Sequence, residues 1–258
     1  MRIDYHVHTL YSDGGRSLSD YLGPAVKRGI DEIGFSDHVH FEKASWSMDL
    51  ANLPKYLNEI HTLKCTSKIH MKAGLEVDFV PSKADGLVQT IKKYDLDYLM
   101  GSVHHLGDWL IDSESHLYRW KDADVDQVYK QYFALIQDMA ETKLFDIIGH
   151  LDLTKKFGFH PKENISNLLL ETVEIIGKSN MCVEVNTGGL RKPCHEIYPS
   201  PSILKMCFDN GVPVTLGSDA HQPEDVGADF EQAVNLLRKT GYTETVRFDK
   251  RTREIVEL

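Results

Sequence analysis

Two histidines separated by one valine, in the stretch DYHVHT (Asp4 to Thr9), are the first residues in the chain whose types and spacing suggest chemistry. A β-strand points residues two apart to the same face, so His6 and His8 would project side by side, as a metal-ligating pair does. Asp4 would share that face one pleat deeper, where it reads as structural. Related residue types recur along the chain: His38 in SDH, Glu76 in GLEVD, His104 in GSVHH, His150 in GHLD, and Asp219 with His221 in GSDAH. Taken singly, each is ordinary; His150 suits a satisfied structural histidine and Glu76 a solvated carboxylate. Together, imidazoles and carboxylates at consecutive segment ends would be a costly concentration of polar groups with no cation to hold. Imidazole plus carboxylate, without clustered thiolates, suits zinc, manganese or iron rather than a zinc-finger type of site.

The elements around these residues are regular enough to position them. Short apolar runs (RIDYHVH, EIGFSDH, HMKAGLEVDF, YLMGSVHH, FDIIGHLD, CVEVNTGG, PVTLGSDAH) read as strands. Longer amphipathic runs lie between them: SLSDYLGPAVKRG, LPKYLNEIHTLK, DVDQVYKQYFALIQDMAET, ISNLLLETVEIIGKS and SILKMCFDN. The first of these begins at Ser17 and stops at Gly29, as helix signals should. Strand–helix alternation implies parallel βαβ units. Each candidate ligand then sits at a strand end, and in a closed parallel barrel the C-terminal strand ends converge on one face. No linker or break in composition divides the chain, which predicts a single domain over residues 1–258. Segments 39–51 and 107–123 carry tryptophan and mixed charge, and read as loop insertions, either covering the site or forming ordinary surface excursions.

Composition limits the possible partners. With 41% hydrophobic and 26% charged residues, the 258-residue chain is an ordinary globular protein. Its net charge of −10 argues against nucleic acid or an anionic membrane surface as partner. An anionic substrate would need a local positive site, which bound cations would create. The opening MRIDYHVHTL shows no apolar core behind a basic start, which predicts no secretory leader. No run of about 18 apolar residues predicts a membrane span. Cys65, Cys182, Cys194 and Cys207 show no CxxC spacing, so reduced thiols and a cytoplasmic location are expected.

In this order, HVHT, SDH, GLEVD, GSVHH, GHLD and GSDAH resemble the PHP (polymerase and histidinol phosphatase) family across nearly the whole chain. NTGGLRKPCHEIYPS and HLDLTKKFG are similar to segments of its histidinol-phosphate-hydrolysing members. The resemblance implies an α/β fold, a distorted (βα)7 TIM-like barrel, holding three divalent metal ions (zinc, manganese or iron). It implies one site from His6, His8, Glu76 and Asp219, with Glu76 bridging to a second that His104 and His150 complete. A third would take His38 and His221. Some family members add a histidine from the loop after the first motif; here that loop reads TLYSDGG, and Asp13 is the substitute.

Three divalent cations would outweigh the negative charges of Glu76, Asp13 and Asp219 and leave a positive pocket. The implied reaction is hydrolysis of L-histidinol phosphate to L-histidinol and phosphate, by in-line attack of a metal-bridging hydroxide. Phosphatase action on nucleotides or phosphotyrosine, or nuclease action, are the alternatives. No Cys-x5-Arg loop is present, so no phosphoenzyme is expected. Arg191 is expected to grip the phosphate bidentately, with Lys155 or Lys156 helping. His105 would protonate the leaving group only if its strand ends there. Asp37 would orient a ligand histidine. His40, His195 and Glu196 would recognise the substrate's amine or imidazole, and Asn186 would line the mouth without binding metal.

Overall fold

The structure is a computed structural model and describes residues 1–258. In chain order its strands are β1 (Ile3–Asp4), β2 (Glu32–Phe35), β3 (His38–Val39), β4 (His70–Asp78), β5 (Tyr98–Ser102), β6 (His105–Leu106), β7 (Trp109–Leu110), β8 (Ile147–Ile148), β9 (Cys182–Asn186), β10 (Val214–Gly217), β11 (Glu244–Asp249) and β12 (Thr252–Glu257). The α-helices are α1 (Leu18–Lys27), α2 (Leu53–Lys64), α3 (Ala84–Ile91), α4 (Leu117–Asp122), α5 (Val125–Thr142), α6 (Ser166–Ser179), α7 (Pro201–Asp209) and α8 (Phe230–Thr240).

Strands β1, β2, β4, β5, β8, β9 and β10 pair in that order, all parallel. The two edges then meet: the Tyr5 amide donates to Leu216 O at 3.1 Å, and Ala220 N–H to His6 O at 3.0 Å. The result is a nearly closed seven-stranded parallel barrel, the fold class that the alternating pattern implies. After Phe35 the second strand breaks at Ser36 and Asp37, then resumes as β3, which places His38 in register with Glu76.

The sequence patterns locate the elements well and overstate the strands. LPKYLNEIHTLK is helical from end to end as α2. Helix α1 starts where the Ser17 amide donates to the Asp20 carboxylate at 3.0 Å, and it ends before Gly29, whose φ of +69° suits the residue that follows a helix. The strands stop short because their last residues leave the ladder and turn into the mouth. Segment 107–123 is not a plain loop, since it holds β7 and α4. Helices α3 and α8 and the β11–β12 hairpin carry no expectation from the sequence patterns.

Alternation also slips in the first strand. Ile3 and Tyr5 both face the inner floor of the barrel with Tyr98, Met100, Ile147, Cys182, Val246 and Phe248. His6 and His8 nevertheless turn inward as well, so the expected sharing of a face by Asp4 and the histidines is corrected. The Asp4 carboxylate instead accepts from the Ser218 amide and hydroxyl and from the Gly227 amide. It is a buried tie between the ends of the sheet, and burial pushes its pKa up against those donors.

Candidate metal centre

Glu76 is fully buried near the end of β4, and five histidines surround its carboxylate. Oε2 lies 3.0 Å from His6 Nε2, 3.0 Å from His38 Nδ1 and 3.4 Å from His8 Nε2. Oε1 lies 3.0 Å from His150 Nε2 and 3.5 Å from His104 Nε2. Asp219 Oδ1 adds contacts at 3.7 Å to His6, 3.6 Å to His8 and 3.5 Å to His221. Asp13 completes the ring, with Oδ2 at 3.3 Å from His221 Nε2 and Oδ1 at 3.7 Å from His38 Nε2. All nine candidate ligands therefore meet at one mouth, although they are drawn from segments spread over the whole chain.

The clusters overlap the expected division without copying it. His6, His8 and Glu76 group together, and so do His38, Glu76 and His104; Asp13 joins His8, His38 and His221, and Asp219 joins His6 and His150. Glu76 is common to the first two groups, as a bridging carboxylate must be.

Two features of this donor set fit cations. Both ring nitrogens of His8 are buried with no hydrogen-bond partner, as is Nδ1 of His150. Orphaned buried nitrogens are costly unless something coordinates them. His104 Nε2 also faces His150 Nε2 at 3.3 Å, and Asp78 Oδ1, 3.2 Å from His104 Nδ1, favours the neutral tautomer that carries its lone pair on Nε2. Burial and the neighbouring His38 and His221 push His8 down to about 3, which keeps it in the neutral form that binds metal. Burial opposes the charge of Glu76, but the adjacent His38 and His6 hold its carboxyl well below the usual range.

Buried carboxylates outside the ring hold it in place. Asp78 also takes the His105 Nδ1 proton at 2.7 Å and lies 3.3 Å from His40 Nε2. Asp37 does not orient a ligand histidine as expected. Its carboxylate accepts from the amides and hydroxyls of Thr9 and Ser12, at 2.8 Å from the Thr9 amide, and so shapes the turn that presents Asp13. Glu184, in the middle of β9, accepts from His6 Nδ1 at 2.6 Å. Glu184 carries one sequence signal, a glutamate flanked by valines in an apolar strand.

A cavity of about 300 Å³ opens over the ring. Arg191 lines it, with Nη2 donating to Ser218 O at 2.5 Å, Nε 3.4 Å from Asp225, and Nη1 buried without a partner. Lys156, Lys192 and Asp112 share the wall, and the Lys156 ammonium donates to the Asp112 carboxylate at 3.0 Å. A second chamber of about 250 Å³ continues from it past Trp46, Leu110 and Asp112, so both tryptophan-bearing segments do reach the site.

Five residues expected at the substrate lie elsewhere. Lys155 is buried away from the cavity, bound to Asp152 at 2.9 Å, Glu196 at 3.0 Å and Ile197 O at 2.8 Å. Its neighbour Lys156 takes the expected place, because consecutive residues of the short helical turn 153–155 and its end point in different directions. Glu196 is thus a partner of Lys155. His195 is exposed at a φ of +50° and packs its ring against Leu190 O. His105 does leave its strand, since β5 ends at Ser102, but Asp78 draws it and His40 outside the cavity wall. Asn186 is turned inward to Glu184 and the Gly188 amide.

Comparison with known proteins agrees with this geometry. The PHP domain model matches residues 4–188. A probable histidinol-phosphatase of Deinococcus radiodurans is 35% identical over 244 residues, covering 92% of this chain and 93% of that one. The histidinol-phosphatase of Bacillus subtilis is 28% identical over 88% of this chain and 96% of its own. Among solved structures, histidinol phosphate phosphatase from Lactococcus lactis, complexed with zinc, L-histidinol and phosphate, superposes with a TM-score of 0.86 at 24% identity, covering 98% of each chain. A barrel whose eight scattered histidines and aspartates converge on one glutamate, matched over most of its length by these relatives, belongs to the PHP family.

Proposed function

We propose that the chain, acting as one unit over residues 1–258, is a metal-dependent phosphomonoesterase that hydrolyses L-histidinol phosphate to L-histidinol and phosphate. The carrying observation is the joining of two parts: eight histidine and aspartate donors gathered around Glu76, and a cavity lined by Arg191, whose Nη1 has no hydrogen-bond partner within the chain. The histidinol-phosphatases among its relatives supply the substrate.

His6, His8, Asp13, His38, Glu76, His104, His150, Asp219 and His221 would hold the divalent ions, zinc, manganese or iron. Bound there, the ions would lower the pKa of water toward neutrality and neutralise charge on the phosphoryl oxygens. The chain's own groups do the rest. Arg191 offers its free nitrogen to a phosphoryl oxygen while Ser218 O and Asp225 fix the guanidinium plane. Lys156 and Lys192 add positive charge to the same wall. Asp112 presents a carboxylate toward the substrate, where an alkylammonium group would find its counter-charge. The cavity wall is polar apart from Leu153 and Tyr198, which suits a charged substrate.

No helix is long and apolar enough to cross a membrane. We further propose a cytoplasmic enzyme that binds neither membrane nor nucleic acid, in keeping with the net charge of −10. The test is phosphate release from histidinol phosphate, AMP and phosphotyrosine, with elemental analysis of the same sample. The reading requires preference for histidinol phosphate, loss of activity on chelation and recovery on adding zinc or manganese. A metal-loaded chain that leaves histidinol phosphate intact, or that prefers the other two substrates, would refute it.

A further inference from the structure

Glu184 is fully buried, and the metal ring does not include it. Both of its oxygens are nevertheless committed to that ring. Oε1 accepts the Nδ1 proton of His6 at 2.6 Å. Oε2 accepts the backbone N–H of His150 at 2.8 Å, and a proton from Asn186 Nδ2 at 3.0 Å. One carboxylate in β9 thus touches two candidate ligands delivered by two other strands.

What it holds in each case is costly to hold otherwise. An imidazole with its proton on Nδ1 has its lone pair on Nε2, and in His6 that nitrogen faces Glu76 and Asp219. The other tautomer would put a proton where a cation must sit. His150 has a φ of +22°, a backbone state that residues with a Cβ seldom adopt and that needs support from its surroundings. Its amide hydrogen bond to Glu184 supplies that support and aims the ring at Glu76. Room for the carboxylate is also specific. A Cβ on Gly217, in the neighbouring strand, would lie 1.9 Å from Glu184 Oε1 and 2.7 Å from His6 Cβ. Gly217 opens the GSDAH segment, so its lack of a side chain is what lets Glu184 reach His6.

We propose that Glu184 is a positioning residue for two metal ligands at once, fixing the tautomer of His6 through one oxygen and the left-handed backbone of His150 through the other. Every contact asked of it is with an N–H donor, so glutamine, with one acceptor oxygen, cannot replace it. If the amide NH2 faces His6, it forces the proton onto Nε2; if it faces His150, two donors collide.

The inference rests on His6 and His150 being metal ligands, and the experiment separates the two ideas. Wild type, Glu184→Gln, His6→Ala and His150→Ala are loaded with zinc and titrated with a competing chelator. Each is then loaded with cobalt for its visible spectrum, and the metal-free melting temperature reports the fold. Glu184→Gln should surrender metal about 10- to 100-fold more readily than wild type and show an altered cobalt spectrum. A Glu184→Gln chain with the wild-type chelator curve and spectrum overturns the proposal. Alanine variants that retain metal like wild type overturn the ligand assignment itself. Should Glu184→Gln fail to fold, the 15N-histidine NMR spectrum of the zinc-loaded wild-type chain decides: the proposal requires the His6 proton on Nδ1, and a proton on Nε2 refutes it.

Discussion

The two ends of the barrel are built on opposite principles. At the mouth, eight ionisable side chains crowd around Glu76, His8 keeps two buried nitrogens without partners, and His150 and Asp219 sit at positive φ. At the floor, Tyr5, Tyr98 and Phe248 pack ring to ring, with centroids 4.7 Å apart for the tyrosine pair. Polar groups there are matched: the Tyr98 hydroxyl donates to Tyr5 O at 2.7 Å, and Tyr5 in turn bonds Glu32 and accepts from the Phe248 amide. The β11–β12 hairpin closes this end, and Arg251 from its turn pairs with Asp146. Strain and unmet polarity are concentrated where chemistry happens, and the opposite end supplies satisfied packing.

The sharpest way to break this contrast is to change one residue at each end. Glu76→Gln removes the shared carboxylate and should lower kcat/KM by about 10³-fold or more, since even supporting residues of metal sites cost 10- to 100-fold. Retention of a tenth of wild-type activity would remove Glu76 from the centre. Phe248→Ala should instead cost about 3–5 kcal/mol of stability in a denaturant titration, while the folded fraction keeps its kcat/KM. If its kinetics collapse while its stability holds, the two ends are not separable.

The boundary between the regions can be sharpened with adjacent lysines. Lys155→Met strands the buried Asp152 carboxylate and should destabilise the chain by about 3 kcal/mol with KM unchanged. Lys156→Met should raise KM and leave the denaturation midpoint close to wild type. Reversed outcomes would restore Lys155 to the site. Arg191→Met, which would remove the proposed charge-assisted contact to phosphate, should raise KM by about 10- to 100-fold. Steady-state kinetics showing an unchanged KM would exclude that contact.

Much of the mouth was legible before any coordinates. HxH, GLEVD and GSDAH carry their ligands at the ends of apolar runs, and strand periodicity with barrel convergence brings His6, Glu76 and Asp219 together. Asp13 also falls within reach of His38 and His221 from its position in the loop after the first motif. The supporting groups were harder to read. Asp37 looked like a partner for a histidine because it precedes His38, yet adjacent strand residues face opposite ways, and it braces the Thr9–Ser12 turn instead. Lys155 and Lys156 cannot be told apart in one dimension, because the direction of a short helical turn is set by what it packs against.

Residue types and their order were enough to specify a parallel barrel, a metal-binding mouth and the family to which the chain belongs. Those features follow from local periodicity and from the chemistry of imidazole and carboxylate, which act over a few residues. Only the tertiary structure decided which charged groups face the cavity and which are spent holding others. It assigned Arg191, Lys156 and Asp112 to the wall, withdrew Lys155, His40, His105 and His195 from it, and set Glu184 against both His6 and His150. The physical reason is that a buried charge takes whatever partner lies within about 3 Å, and such partners come from strands far apart in the chain.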